Sequence, residues 1–138
     1  MKKVQILLFL ILVYSCKSEE PSKDNELVGT WKLVLRCMSD NNNPCIEEIV
    51  PSNKFVYVSF QNGKTFVQTY KNTTPREYSF WGGTGGGYEI EGQKIKIYSM
   101  ASSSSGGQLF DIDFKDSQNL KIKTKSNLLI SSYTFTKE

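Results

Sequence analysis

Three segments in the last third of the chain alternate strictly between apolar and charged residues: 94–97, 109–114 and 120–125. A period of two residues is that of a β-strand with one buried face. The apolar positions are Ile95, Ile97, Phe110, Ile112, Phe114, Leu120 and Ile122. The charged positions carry Lys, then Asp, then Lys, and opposite charges attract across neighbouring antiparallel strands. The pattern therefore predicts a three-stranded meander in chain order.

Shorter strand patterns fill the rest of the chain after residue 27. In the first of them the side chains alternate between two sides, with Trp31, Leu33, Leu35 and Cys37 on one and Lys32, Val34 and Arg36 on the other. The others cover 54–60, 65–70, 77–81, 88–91 and 128–136, with turn residues between them. Many short strands with frequent turns are typical of barrels and sandwiches. We therefore expect an all-β protein, an antiparallel up-and-down barrel of about eight or nine strands.

The strands 54–60 and 65–70 are separated by Asn62-Gly63, a pair that favours a two-residue type I′ hairpin turn. That turn gives the hairpin two faces. One face carries Val56, Val58, Phe60 and Val67, and the other carries Phe55, Tyr57, Phe66 and Tyr70. Both sets are apolar, so the sequence leaves open which of them faces the core.

A glycine-rich segment covers residues 82–87. A phosphate-binding loop would end in Gly-Lys-Ser/Thr and would open a helix. This segment has no such Lys and leads into a predicted strand. We interpret it, together with the segment 101–107, as a loop at the rim of the barrel.

The start of the chain has the pattern of a signal peptide. Lys2 and Lys3 precede an apolar run at 6–13, which is shorter than the roughly 20 residues that cross a bilayer as a helix. The run ends in Val-Tyr-Ser-Cys at 13–16, which resembles the lipobox of bacterial lipoproteins. The resemblance implies a signal peptide at 1–15 and a lipid such as palmitate on Cys16. The alternative is an ordinary secretory peptide with an incidental Cys.

Residues 16–26 are predicted to be a flexible tether, because from residue 17 onward they are polar and contain no apolar side chain to bury. The folded domain is then 27–138. Residues 17–20 also resemble the acidic export signals of surface lipoproteins in Bacteroidetes-type bacteria. We expect a lipoprotein of the outer membrane, with its domain facing either the periplasm or the cell surface.

Cys37 and Cys45 remain as a pair if Cys16 carries lipid. A strong turn sequence at 40–44 lies between them. An exported protein meets oxidising conditions, so we expect a Cys37–Cys45 disulfide. Two free thiols or a metal site are the alternatives, but a metal needs more soft ligands and the chain has no His.

The charge and the residue types exclude several classes of function. The chain has 17 Lys and Arg against 14 Asp and Glu, and loss of Lys2 and Lys3 with the signal would leave 15 against 14. A nucleic-acid partner is not expected without a concentrated basic face. The sequence contains no His, which is the commonest acid–base residue of enzymes near neutral pH. We expect no enzyme, no cofactor and no metal.

Residues 27–33 (Leu-Val-Gly-Thr-Trp-Lys-Leu) resemble the first-strand signature of the lipocalin-like (calycin) families. The closest resemblance is to the small lipocalin-like lipoproteins of Bacteroidetes-type bacteria. It implies a barrel in which Trp31 closes one end. Classical lipocalins place an Arg late in the chain to stack on this Trp; here Lys137 is the nearest cation.

Two functions are compatible with such a barrel. In the first, a lipid-anchored barrel binds a small apolar or amphipathic molecule inside, and the expected ligand-binding residues are Trp31, Leu33, Phe66, Phe110 and Tyr133. In the second, the barrel is packed and engages another envelope protein as an inhibitor or accessory subunit. An open apolar cavity of about 300 Å³ or more would favour the first.

Overall fold

The computed structural model describes residues 22–39, 45–81, 83–100, 106–125 and 130–138. The predicted signal peptide 1–15, Cys16 and the first part of the tether lie outside the described residues. So do the turn sequence 40–44 and most of the predicted rim loop 101–107.

The described residues form one short helix, α1 (Lys23–Leu27), and nine strands. The strands are β1 (Gly29–Ser39), β2 (Glu47–Ile49), β3 (Phe55–Gln61), β4 (Thr65–Lys71), β5 (Gly85–Glu91), β6 (Lys94–Ser99), β7 (Gln108–Asp116), β8 (Asn119–Lys125) and β9 (Ile130–Lys137). None of the described helices is long and apolar enough to cross a membrane.

Eight of these strands close into an antiparallel barrel. From β3 to β9 each strand pairs with the next along the chain, and β1 closes the ring by pairing with both β3 and β9. The extra strand, β2, pairs with β1 opposite Leu35, Arg36 and Cys37. The predicted all-β, antiparallel up-and-down barrel is confirmed.

The register defines two ends of the barrel. We call the end that carries α1, the β3–β4 turn and the β7–β8 turn the α1 end, and the opposite end the distal end. Lys64 of the β3–β4 turn forms an ion pair with Asp24 of α1, and Leu27 is fully buried. Here the structure differs from the predicted tether, because residues 23–26 form a helical turn that the burial of Leu27 holds in place.

The meander β6–β7–β8 has the predicted chain order. Lys94 lies opposite Asp111, Asp111 lies opposite Lys123, and Asp113 lies opposite Lys121. The apolar positions of the three strands face inward, and Ile95, Ile97, Phe110, Ile112, Leu120 and Ile122 are at most 4% exposed. Opposite charges outside and apolar side chains inside favour the same register.

The β3–β4 turn has three residues, so the prediction of a two-residue turn is wrong. Gln61 pairs with Thr65, and Lys64 rather than Gly63 takes a positive φ of 59°. The extra residue shifts the register by one position, which moves every later side chain to the other face. Phe66 therefore faces inward and is 1% exposed, while Val67 faces outward and is 42% exposed. The inward face of β3 is Val56, Val58 and Phe60.

The glycine-rich segment is partly strand rather than wholly rim loop. Gly85, Gly86 and Gly87 begin β5 and pair with β4. A Cβ at Gly86 would collide with the carbonyl oxygen of Tyr98 on the neighbouring strand, so the close approach of the two backbones requires glycine there.

Candidate functional site

The barrel interior is filled with side chains, and the five predicted ligand-binding residues belong to this core. Trp31 and Leu33 are 0% exposed, and Phe66, Phe110 and Tyr133 are each 1% exposed. The structure brings the five together in one apolar cluster. Their role toward a ligand stays a prediction.

Trp31 closes the α1 end of the interior. Its indole N–H donates to the carbonyl oxygen of Leu27 over 2.7 Å, and its ring lies 6.2 Å from that of Phe114. The ammonium of Lys137 lies over the Trp31 ring, 5.1 Å from its centroid. The α1 end is therefore sealed by an indole that has both a hydrogen-bond partner and a cation.

Phe80 fills the centre of the interior, although it belongs to a loop and not to a strand. The loop between β4 and β5 turns back into the barrel at residues 77–81, which we call the plug segment. The predicted strand at 77–81 is thus wrong, because the chain turns there: the N–H groups of Glu77 and Tyr78 both donate to the carbonyl oxygen of Thr74, at 3.0 and 3.1 Å.

The ring of Phe80 is enclosed by aromatic side chains. Its centroid lies 4.9 Å from that of Tyr133 and 5.5 Å from that of Phe135, both in edge-to-face geometry. Phe60, Phe66 and Phe110 complete the enclosure at 6.3, 5.8 and 6.2 Å. Edge-to-face contacts of this kind stabilise a core beyond the burial of area alone. Phe80 is 1% exposed and occupies the space in which a ligand of a hollow barrel would lie.

A buried amide holds the backbone of Phe80. The N–H of Phe80 donates to Oε1 of Gln68 over 3.0 Å, and Nε2 of Gln68 donates to the carbonyl oxygens of Phe80 and Trp81 over 3.3 and 3.2 Å. Gln68 lies on the inward face of β4 and is 8% exposed. Without these bonds the loop would bury unpaired backbone groups, which is unfavourable.

Tyr70 extends this polar cluster. Its hydroxyl donates to Oε1 of Gln68 over 2.9 Å and also contacts the carbonyl oxygen of Gly83. Burial raises the pKa of Tyr70 to about 12. Burial also raises the pKa of Tyr133. Both phenols therefore stay protonated and able to donate near neutral pH.

Tyr78 holds the outer end of the plug segment. Its ring lies between two cations, with the guanidinium carbon of Arg36 at 4.6 Å and the ammonium of Lys54 at 5.3 Å from the centroid. Its hydroxyl donates to Oε1 of Glu48 over 3.2 Å, and Arg36 pairs with the same carboxylate at 3.0 Å. Lys54 also forms an ion pair with Glu77.

An open groove of about 540 Å³ lies at the α1 end, and the inward-facing Ile112 is one of its lining residues. Lys23, Gln93, Phe114, Asp116 and Lys137 are among its lining residues, and none of the five predicted ligand-binding residues is. Asp116 accepts from Asn119 and from the Gln118 N–H, which lowers its pKa. The polar groups of this groove thus include side chains that hold the β7–β8 turn.

The remaining site predictions concern metals and cysteines. Among the residues that the structure describes, no group of three or more His, Cys, Asp or Glu side chains is placed to hold a metal ion. Cys37 and Cys45 form the predicted disulfide, with Cα atoms 5.5 Å apart. The bond ties the end of β1 to the start of the β2 segment at the distal end.

Sequence reasoning missed Phe80, Gln68 and Tyr78. The signal for Gln68 was hidden by the register error in the β3–β4 turn, because the correct register places this lone amide on an otherwise apolar inward face. The signal for the plug segment is the aromatic cluster Tyr78, Phe80 and Trp81 directly before the glycines. That cluster fits a buried loop as well as it fits a strand.

Comparison with known proteins identifies the family of the chain. A family model described as a lipocalin-like domain matches residues 27–123. No curated protein and no solved structure matches the chain. The matched region begins at the buried Leu27 and extends from β1 into β8.

Proposed function

The chain belongs to the lipocalin-like domain family, and from this premise we propose that it is a lipid-anchored, non-catalytic envelope protein whose packed barrel serves as an interaction or accessory module. A lipocalin-like barrel supports either a ligand-binding or an accessory role. One observation favours the accessory role: Phe80, from the protein's own loop, occupies the space that a carried ligand would need.

The competing function is a small apolar or amphipathic ligand held among Trp31, Leu33, Phe66, Phe110 and Tyr133. Such a ligand would have to displace the Phe80 ring from its aromatic neighbours and break the bonds of Gln68 to the loop. The groove at the α1 end is large enough for a ligand, but charged and amide side chains form much of its lining. Neither feature favours a carrier of apolar molecules.

Ligand occupancy separates the two functions. We expect native mass spectrometry of the purified protein to find no bound lipid, and titration with a fatty acid to give no saturable binding. In Phe80→Ala, removal of the ring leaves a cavity that an apolar probe can enter, so binding should appear. Phe55→Ala, which removes an outward-facing ring of the same type, is the matched control and should behave like the wild type. Stoichiometric fatty acid in the wild-type protein would contradict the packed-barrel proposal.

The lipid anchor rests on the lipobox-like sequence that ends at Cys16. The Cys37–Cys45 disulfide is consistent with it, because disulfides persist in oxidising compartments. A lipid at Cys16 would lie only a few residues before α1, so the α1 end would face the membrane and the distal end would face away. On this basis the distal end is the part available to a partner.

Labelling with radioactive palmitate tests the anchor. Label should enter the wild-type protein and the double variant Cys37→Ala/Cys45→Ala, which keeps Cys16, and should be lost in Cys16→Ala. Equal labelling of Cys16→Ala and the wild type would refute the anchor. Fractionation of the same cells into inner and outer membranes then tests the proposed location.

A further inference from the structure

The interior of the barrel encloses residues 78–81 of its own chain through contacts like those of a bound peptide. The ring of Phe80 lies in an aromatic pocket, and Gln68 bonds to the N–H and the carbonyl oxygen of the same residue. These are the two kinds of contact by which proteins recognise a peptide residue: an apolar pocket for the side chain, and paired polar groups for the backbone.

The contacts of Gln68 are independent of which chain supplies the bound residue. In the plug segment its amide contacts main-chain groups of Phe80 and Trp81, and every peptide presents the same N–H and carbonyl groups. Its other partner is the hydroxyl of Tyr70, which belongs to β4 and stays in place whichever chain is bound. Selectivity must come from the pocket, where Tyr133 and Phe135 present their rings edge-to-face to the ring of Phe80. The enclosure fits a planar aromatic ring.

The contacts that retain the plug segment at the distal end lie near solvent. The side chains of Lys54 and Glu77 are 25% and 42% exposed, and that of Glu48 is 50% exposed. Exposed ion pairs contribute little to stability and weaken with salt. The segment is therefore buried at Phe80 and at the ring of Tyr78, which is 8% exposed, while the ion pairs at its outer end are exposed and weak.

We propose that the aromatic pocket and Gln68 form a socket for an aromatic residue of a partner protein, which inserts an extended segment at the distal end in place of Phe80. This inference rests on the proposed function and names the partner's chemistry: a phenylalanine-type side chain flanked by free backbone amides. The loop between β4 and β5 enters the barrel from the distal end, the side that the proposed anchor directs away from the membrane.

The chain's own Phe80 competes with any such partner. A tethered group acts at an effective concentration of the order of millimolar, so a peptide added in solution binds more weakly than it would to an empty socket. Loss of the Phe80 ring should therefore strengthen binding of an external peptide. A plug with a purely structural role would also leave a cavity that admits an apolar ring, but binding there would not involve the amide of Gln68.

The probe is acetyl-Tyr-Ser-Phe-Trp-amide, which repeats residues 78–81, added to the full-length protein. The control peptide carries Ala in place of Phe. We follow the side-chain amide resonances of Gln68 by NMR, because they report on the socket itself. We expect Phe80→Ala to bind the probe at least about tenfold more tightly than the wild type and to leave the control peptide unbound. The protein variant Phe55→Ala should match the wild type.

Glu77→Gln provides a second test that keeps the core intact. It removes the ion pair with Lys54 but leaves the pocket unchanged, so the probe should bind more tightly than to the wild type, and the gain should shrink in high salt. Equal binding of probe and control peptide to Phe80→Ala, or no binding of either at about millimolar concentration, would overturn the socket. A lumen filled with lipid would instead overturn the proposed function, whatever the peptide does.

Discussion

The ammonium of Lys137 lies 5.1 Å from the centroid of the Trp31 ring. Its Cε atom would lie 3.2 Å from a Cβ added at Gly29, whose φ is +136°. Gly29 and Trp31 of the Gly-x-Trp sequence therefore both contact Lys137, the last residue of β9. The glycine leaves room for the lysine side chain, and the tryptophan binds its ammonium. Lys137, named from the sequence as the nearest cation, is thus in contact with this Trp.

Loss of the Lys137 charge should destabilise the protein. We expect Lys137→Met, which keeps the apolar stem, to lower the free energy of unfolding by about 0.5–2 kcal/mol, the range of a cation–π contact. Lys137→Arg should keep the stability of the wild type. Denaturant unfolding measures both. Lys94→Ala removes an exposed cation and serves as the control, with a change within about 0.5 kcal/mol. Equal losses in Lys137→Met and Lys94→Ala would contradict a specific role.

The Phe80 ring should contribute strongly to stability, although it lies outside the strands. Truncation of a buried Phe loses its burial and leaves a cavity, so Phe80→Ala should lower the free energy of unfolding by about 3–5 kcal/mol. Phe55→Ala, at a half-buried outer position between Lys32 and Lys71, should lose clearly less. Urea denaturation of the two variants gives the comparison. Similar losses would mean that Phe80 is not packed as the structure has it.

Gln68 should stabilise the loop through its hydrogen bonds rather than its volume. Gln68→Leu keeps the size but leaves the Phe80 N–H without its acceptor, while the Phe80 carbonyl oxygen keeps the Gly83 N–H as a donor. We therefore expect a loss of about 1–3 kcal/mol. Hydrogen exchange at the Phe80 amide should accelerate beyond the change in global stability. Gln61→Leu, at an exposed position, is the control. Unchanged exchange at Phe80 in Gln68→Leu would argue against this role.

The barrel was predictable because its signals are local. Alternating residues with Lys, then Asp, then Lys on successive strands indicate which strands pair, which face is buried and that the strands follow chain order. The strands β6, β7 and β8 have these features. The Cys37–Cys45 bond followed from the number of cysteines and the turn between them. Each of these inferences uses residues close in sequence or a pattern that repeats.

The part of the interior that β4 and the plug segment supply was not predictable, because it depends on one register and one loop. Asn62-Gly63 favours a two-residue turn, but Lys64 takes the left-handed conformation and the turn has three residues. That single residue decides that Phe66 and Gln68 face inward. The insertion of Phe80 depends on contacts with strands distant in sequence, such as β9. A local sequence pattern cannot predict such contacts.

The disulfide should contribute to stability through the short loop that it closes. For a sequence separation of 8, the loop-entropy estimate is about 2.5 kcal/mol, so Cys37→Ala/Cys45→Ala should lose roughly that amount. A reductant should lower the thermal midpoint of the wild type and leave that of the double variant unchanged. If reductant has no effect on the wild type, the bond does not form in the protein.

Stability should fall at alkaline pH because of the buried phenol of Tyr70. Burial raises its pKa from 10.0 to about 12, so the folded state binds this proton more tightly than the unfolded state does. Its contribution is fully present below pH 10 and is lost as the pH rises toward 12. The physical reason is that burial disfavours the charged phenolate.

Tyr70→Phe isolates this contribution. The variant should be less stable than the wild type near neutral pH, and the difference should shrink between pH 10 and 12, where the wild type loses its advantage. Urea midpoints measured across this range test the sign. Other buried phenols, including Tyr133, have raised pKa values and will leave some alkaline dependence in the variant. Parallel curves for the two proteins would mean that Tyr70 ionises as it does in the unfolded chain, and that its hydroxyl does not hold the loop over Gln68.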